Sequence, residues 1–131
     1  MTADIRLSQI GQIALVIHDL DRAVAFYRDA LGLTLLFTAG PLAFFDCGGV
    51  RLMLTPPEKP EFDHPNSPLY FKVSDIRAAH AALTARGARF EDSPHAVAQL
   101  ADHELWLASF RDPENNLLAL MSEVPLAQPR R

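Results

Sequence analysis

The sequence predicts an α+β fold made of two βαβββ modules, with helices outside and strands enclosing a cleft. Three observations carry this. A short β-branched run feeds straight into a capped amphipathic helix across residues 12–32, the same unit recurs across residues 69–87, and a proline-rich segment separates the copies. With 131 residues and 49% hydrophobic content, one domain of two small halves sharing a core is the simplest arrangement.

Residues 1–11 carry little beyond a short pairing segment around 5–10. The first strand, Ile13 to Ile17, is apolar, too short for a helix, and ended by the polar pair His18-Asp19. Asp19 offers an oxygen to the first free amides of a helix. Leu20, Ala23, Val24, Tyr27 and Leu31 then recur at helical spacing until Gly32 stops it. Strands at residues 33–38, 42–47 and 50–55 follow, the last two joined by the turn Gly48-Gly49. Module one thus spans about residues 11–55, and Pro56, Pro57, Pro60 and Pro65 mark a linker at 56–67.

Module two covers about residues 68–122. Its strand is 69–73, Ser74-Asp75 caps its helix at 76–86, and Gly87 stops it. Setting Asp19 on Asp75 brings Ile17 onto Val73, Leu20 onto Ile76 and Ala23 onto Ala79. The repeat is therefore about 55 to 66 residues long, widening along the second copy. A short strand near 89–91, a connection across 92–101, a strand near 104–110, a turn at 111–116 and a last strand at 117–122 complete a four-stranded sheet. Residues 123–131 read as a frayed tail.

Strand alternation separates the faces. Ile13, Leu15 and Ile17, with Leu69, Phe71 and Val73, are large and apolar and belong against the helices. The opposite faces line a common cleft holding Gln12, Ala14, Arg51 and Met53 from module one. Tyr70, Lys72, Leu117, Ala119 and Met121 come from module two. Trp106, on a strand bordering the cleft, is the remaining candidate for the lining, with core packing as its leading explanation and stacking on a ligand as the alternative. An apolar hollow with few polar groups suits a small molecule, and Arg51 and Lys72 favour a carboxylate or phosphate.

Net charge −4 leaves no footprint for nucleic acid. No apolar run approaches a membrane span, and the first residues lack the pattern of a secretory signal. The single Cys47 asks for no oxidising compartment, so a cytoplasmic protein is expected.

The residues Asp19-Leu20-Asp21-Arg22-Ala23, Phe26-Tyr27, Leu31-Gly32 and Phe110-Arg111-Asp112-Pro113-Glu114-Asn115-Asn116 resemble the vicinal oxygen chelate superfamily. That group includes glyoxalase I, extradiol dioxygenases, methylmalonyl-CoA epimerase and the fosfomycin and bleomycin resistance proteins. The resemblance implies the paired fold, a homodimer and, in metal-dependent members, four ligand positions. Carried onto this chain, those positions are Gln12, Met53, Pro68 and Ala119, of which only Gln12 offers a donor for a hard divalent ion. Asn115 replaces the glycine common in the closing motif and still tolerates the left-handed backbone.

Among the histidines, His18 and His80 read as structural, and His64, His95 and His103 are the candidates for a displaced metal site. His103 and Glu104 point to opposite strand faces and cannot share one ion. The leading expectation is a small-molecule binding homodimer using neither the family metal nor another cofactor. The alternatives are a lyase, isomerase or dioxygenase with a displaced metal, an acid-base isomerase using Tyr70 or a histidine, and an interaction module with a filled cleft.

Overall fold

A computed structural model of the chain describes residues 5–126. Strands β1 (Gln12–Val16), β2 (Thr34–Ala39), β3 (Leu42–Cys47) and β4 (Val50–Thr55) form one sheet in the order β1-β4-β3-β2. β1 runs parallel to β4, with Gln12 opposite Arg51 and Ala14 opposite Met53. Helix α1 (Leu20–Ala25) packs on this sheet and continues through a wider π turn, Phe26–Ala30.

The second sheet takes β5 (Leu69–Lys72), β9 (Leu117–Pro125), β8 (His103–Arg111) and β6 (Arg89–Phe90) in that order. β5 runs parallel to β9, as β1 does to β4. Helix α2 (Ile76–Ala85) covers it.

The duplication is visible atom by atom at the two helix starts. Asp19 Oδ1 accepts from the Arg22 amide at 3.2 Å, and Asp75 Oδ1 from the Ala78 amide at 3.0 Å. The cap backbones match closely, at φ −125°, ψ 95° and φ −127°, ψ 98°. Both carboxylates satisfy an amide that the first helical turn leaves free. Between β3 and β4, Gly48 and Gly49 stand at φ +62° and +91°, the pair of positive values that a tight two-residue hairpin needs.

Three expectations need correction. Residues 92–101, read as a connection, contain β7 (His95–Gln99), which pairs with the same edge of β8 that β6 occupies further along. The second sheet thus has five strands, its outer one broken in two. The last strand runs on to Pro125 because Leu105, Glu104 and His103 pair with Glu123, Val124 and Pro125. Residues 127–131 of the expected frayed tail lie outside the described residues. Residues 5–10 belong to no strand.

The face assignment holds. Leu15, Ile17, Leu52 and Leu54 from one sheet join Phe110, Leu118 and Leu120 from the other in a single buried core. Each fully buried side chain of this kind contributes about 1.5–3 kcal/mol, so the modules stabilise each other through a shared interior. No helix among the described residues is long and apolar enough to cross a membrane.

Candidate functional site

Turning the core residues inward leaves the alternate residues of β1 and β4 on the outer face of the first sheet. Here Arg51 Nε donates to Gln12 Oε1 at 2.8 Å, and Gln12 Nε2 lies 3.6 Å from Met53 Sδ. The Arg51 guanidinium carbon sits 5.1 Å from the centre of the Phe44 ring, and Phe37 stacks on Phe44 at 4.6 Å between centroids. Asp46, opposite Arg51 in the strand register, accepts instead from the Gly49 amide at 3.2 Å. Among the described residues Arg51 makes no ion pair with a carboxylate. Its partners are a neutral amide and an aromatic face, so its charge stays available.

Beside this group a cavity of about 340 Å³ opens between the sheet and the linker. Ala14, Val16 and Met53 form its floor, and Pro57, Phe62 and His64 its cover. Two asparagines pin the cover to the free edge of β1. The Val16 amide donates to Asn66 Oδ1 at 3.3 Å, Asn66 Nδ2 donates to Asn116 Oδ1 at 2.7 Å, and Asn116 Nδ2 donates to the Val16 carbonyl at 3.3 Å. Edge groups that would otherwise be unpaired are thus satisfied by side chains from the linker and from the second module.

The second sheet's outer face is organised differently. Lys72 Nζ lies 2.6 Å from Glu123 Oε1, and His103 Nε2 lies 3.0 Å from Glu123 Oε2, out of line for a hydrogen bond. Lys72 holds the Glu123 carboxyl below the usual carboxylate range. The expected anion anchor Lys72 is therefore already neutralised, and of the pair only Arg51 is unmatched. Tyr70 is exposed and pairs in register with Ala119, which is buried, as Lys72 pairs with Met121. Pro68 and Tyr70 line a smaller cavity of about 290 Å³, with Ile13 and Leu52 of the first sheet.

Trp106 does not belong to the cleft. It shares the parity of Ala108 and Phe110, packs toward the core, lies under the Arg77 guanidinium and donates from Nε1 to Glu104 at 3.3 Å. Core packing is its role, and the parity of a residue two before Ala108 on the same strand was the signal for it.

The donor set does not fit the metal that the resemblance implies. Gln12 spends its carbonyl oxygen on Arg51, and Met53, Pro68 and Ala119 bring a thioether, an imino ring and a methyl. A hard divalent ion needs several oxygen or nitrogen ligands, which these positions do not supply. The three displaced candidates are dispersed: His64 turns to the Pro65 carbonyl, His95 to the Ser93 carbonyl, and His103 to Asp102 and Glu123. Among the described residues no three His, Cys, Asp or Glu side chains are grouped to hold an ion. His80 packs on the Phe90 ring, as a structural residue would.

The closing motif acts as a joint between modules. Asp112, fully buried, accepts from Tyr27 Oη and from the amides of Glu114 and Asn116. Burial first, then the Asp112 charge, pushes the Tyr27 phenol well above its ordinary value. Asn115 holds φ +67°, as the turn requires. Glu114 reaches back to the Asp19 amide at 2.7 Å and to His18 Nδ1 at 3.0 Å, while His18 Nε2 meets Asp63 of the linker at 2.9 Å. Glu114 first and Asp63 second raise the His18 pKa.

Comparison with known proteins agrees with this architecture. An uncharacterized protein, YraH, of Bacillus subtilis is 29% identical over 126 residues, spanning 83% of this chain and 94% of that protein. A Glyoxalase/bleomycin resistance protein/dioxygenase superfamily member from Sphaerobacter thermophilus superposes with a TM-score of 0.76 at 20% identity, covering 89% of this chain and 98% of its own. A lactoylglutathione lyase from Agrobacterium tumefaciens superposes with a TM-score of 0.74 at 26% identity, covering 88% and 94%. The family model for the Glyoxalase/Bleomycin resistance protein/Dioxygenase superfamily matches residues 9–120, and the chain belongs to that family.

Proposed function

We propose that this glyoxalase-like protein binds a small anionic molecule on the outer face of its first sheet and does so without the metal used elsewhere in its family. The single observation behind this is Arg51, a cation held in place by Gln12 and Phe44 with no carboxylate partner among the described residues, beside a cavity roofed by the linker. A guanidinium offers several donors in a planar fork, so one bond to Gln12 leaves others free for a carboxylate or phosphate.

The protein works as a cytoplasmic homodimer in this reading. Exposed Leu36 on the outer strand of one sheet and exposed Val97 and Leu100 at the outer strand of the other support association. Sedimentation analysis of the purified chain tests the dimer directly.

A thermal-shift screen of small carboxylates and phosphates tests the ligand. Hits should lose affinity by about tenfold in Arg51→Ala, the scale of a lost charge-assisted hydrogen bond, and keep it in Lys72→Ala. Hits indifferent to Arg51 would overturn the proposal.

A further inference from the structure

We infer that the preferred ligand is a monocarboxylate with a flat aromatic or conjugated body, a narrower statement that rests on the binding site proposed above. Two features of the first sheet select for it. The first is the row of planar groups, Phe37 on Phe44 at 4.6 Å and 28° between planes, continued by the Arg51 guanidinium 5.1 Å from the Phe44 centroid. Phe44 is nearly buried in this row while Phe37 is about half exposed, at 8% and 47% of their full surfaces, so the shelf has one fixed and one open member. The second is Met53, which faces the same side, touches Gln12 through its sulfur and forms the cavity floor.

A carboxylate is planar and takes two parallel bonds from the guanidinium edge that Gln12 leaves free. The adjoining body of such a ligand then lies across Met53, whose thioether sulfur makes favourable contact with aromatic rings. Beyond Met53 the floor is Ala14 and Val16, and the cover is Pro57 and Phe62. Nothing on that path but His64, Glu58, Thr55 and Asn66 is polar, and Asn66 is committed to Val16 and Asn116. Glu58 repels a second negative charge, which favours one carboxylate at the Arg51 end and an uncharged body under the linker.

Three probes of similar length separate the features: trans-cinnamate, cinnamamide and 3-cyclohexylpropanoate, titrated by calorimetry into the full chain. Cinnamate should bind about tenfold more tightly than the uncharged amide, and several-fold more tightly than the saturated carboxylate. Arg51→Gln should abolish the first ratio and leave the second. Met53→Leu, a swap that nearly conserves volume, removes the sulfur the ligand body lies across and should reduce the second ratio and leave the first. Equal affinity for the three probes, together with perturbation of the first sheet, would overturn the inference and leave the binding site standing. Failure of every small anion to perturb the first sheet would overturn both.

Discussion

The Tyr27 hydroxyl donates to Asp112 Oδ2 across 2.7 Å, and both groups are fully buried. One residue comes from the end of the first module's helix, the other from the last turn of the second, 85 positions later. The bond joins the duplicated halves at a point where neither group can reach water.

Tyr27→Phe keeps the ring in the core and removes this donor. Asp112 retains the two amides and the Asn116 side chain, so urea denaturation should show a loss of about 1–3 kcal/mol. Asp112→Ala should cost more, because it strands the phenol, the Asn116 side chain and two turn amides together. Equal stability of the Tyr27→Phe variant and the parent would contradict the assigned role.

The imidazole of His18 bridges the linker and the second module, and its pKa is raised by Glu114 and Asp63. Its contribution is fully present below roughly pH 6.5, the ordinary value, and is lost as pH climbs through the raised folded value. Glu114 behaves oppositely: its carboxyl is lowered, because donors from His18 and Asp19 outweigh burial. That part persists above the ordinary carboxylate value and fades as pH falls through the folded one. Protection of the amides over residues 60–66 relative to their intrinsic exchange rates should therefore fall on both sides of a maximum, and His18→Gln should remove the alkaline arm. An unchanged alkaline arm in His18→Gln would refute the bridge.

Asn66→Ala removes a link in the chain from Val16 to Asn116 and leaves a strand amide without its partner. A stability loss of about 1–2 kcal/mol is expected, with faster exchange at the Val16 amide and weaker binding of any ligand held under the linker. Unaltered exchange at Val16 would show that the linker is held by other means.

Metal dependence follows from the donor chemistry at Gln12, Met53, Pro68 and Ala119. Exhaustive treatment with a chelator should leave both the melting temperature and anion binding unchanged, and elemental analysis of protein purified without chelators should show no stoichiometric zinc, nickel, manganese or iron. A tightly held ion that disappears in Gln12→Ala or His103→Ala would reverse this part of the account.

Much of the fold was legible because local and global signals coincide. Asp19 and Asp75 announce their helices three residues ahead of the amides they cap, and the alternation of Ile13, Leu15 and Ile17 tells inward from outward. What stayed hidden depends on partners distant in sequence or on irregular strands. Lys72 reads as a free cation until Glu123, on a strand the tail was not expected to reach, arrives beside it. β7 is exposed throughout and interrupted near Val97, so it shows neither alternation nor a continuous apolar run.

Phe37 is the most instructive case. Strict alternation from Leu35 would turn it toward the core, but the register slips between these residues, leaving Leu35 opposite Phe45 and Phe37 opposite Phe44. The bulge moves an aromatic ring to the outer face, where it extends the shelf next to Arg51. A one-residue slip of this kind is invisible to a pattern of period two.

Methionine-methyl NMR tests the central claim most directly. The chain has three methionines, of which Met53 lies on the first sheet's outer face and Met121 on the second's. Titration with an aromatic carboxylate should shift the Met53 methyl signal in a saturable way, leave Met121 in place, and lose the effect in Arg51→Gln. A shift confined to Met121, or saturable binding that moves neither signal, would contradict it.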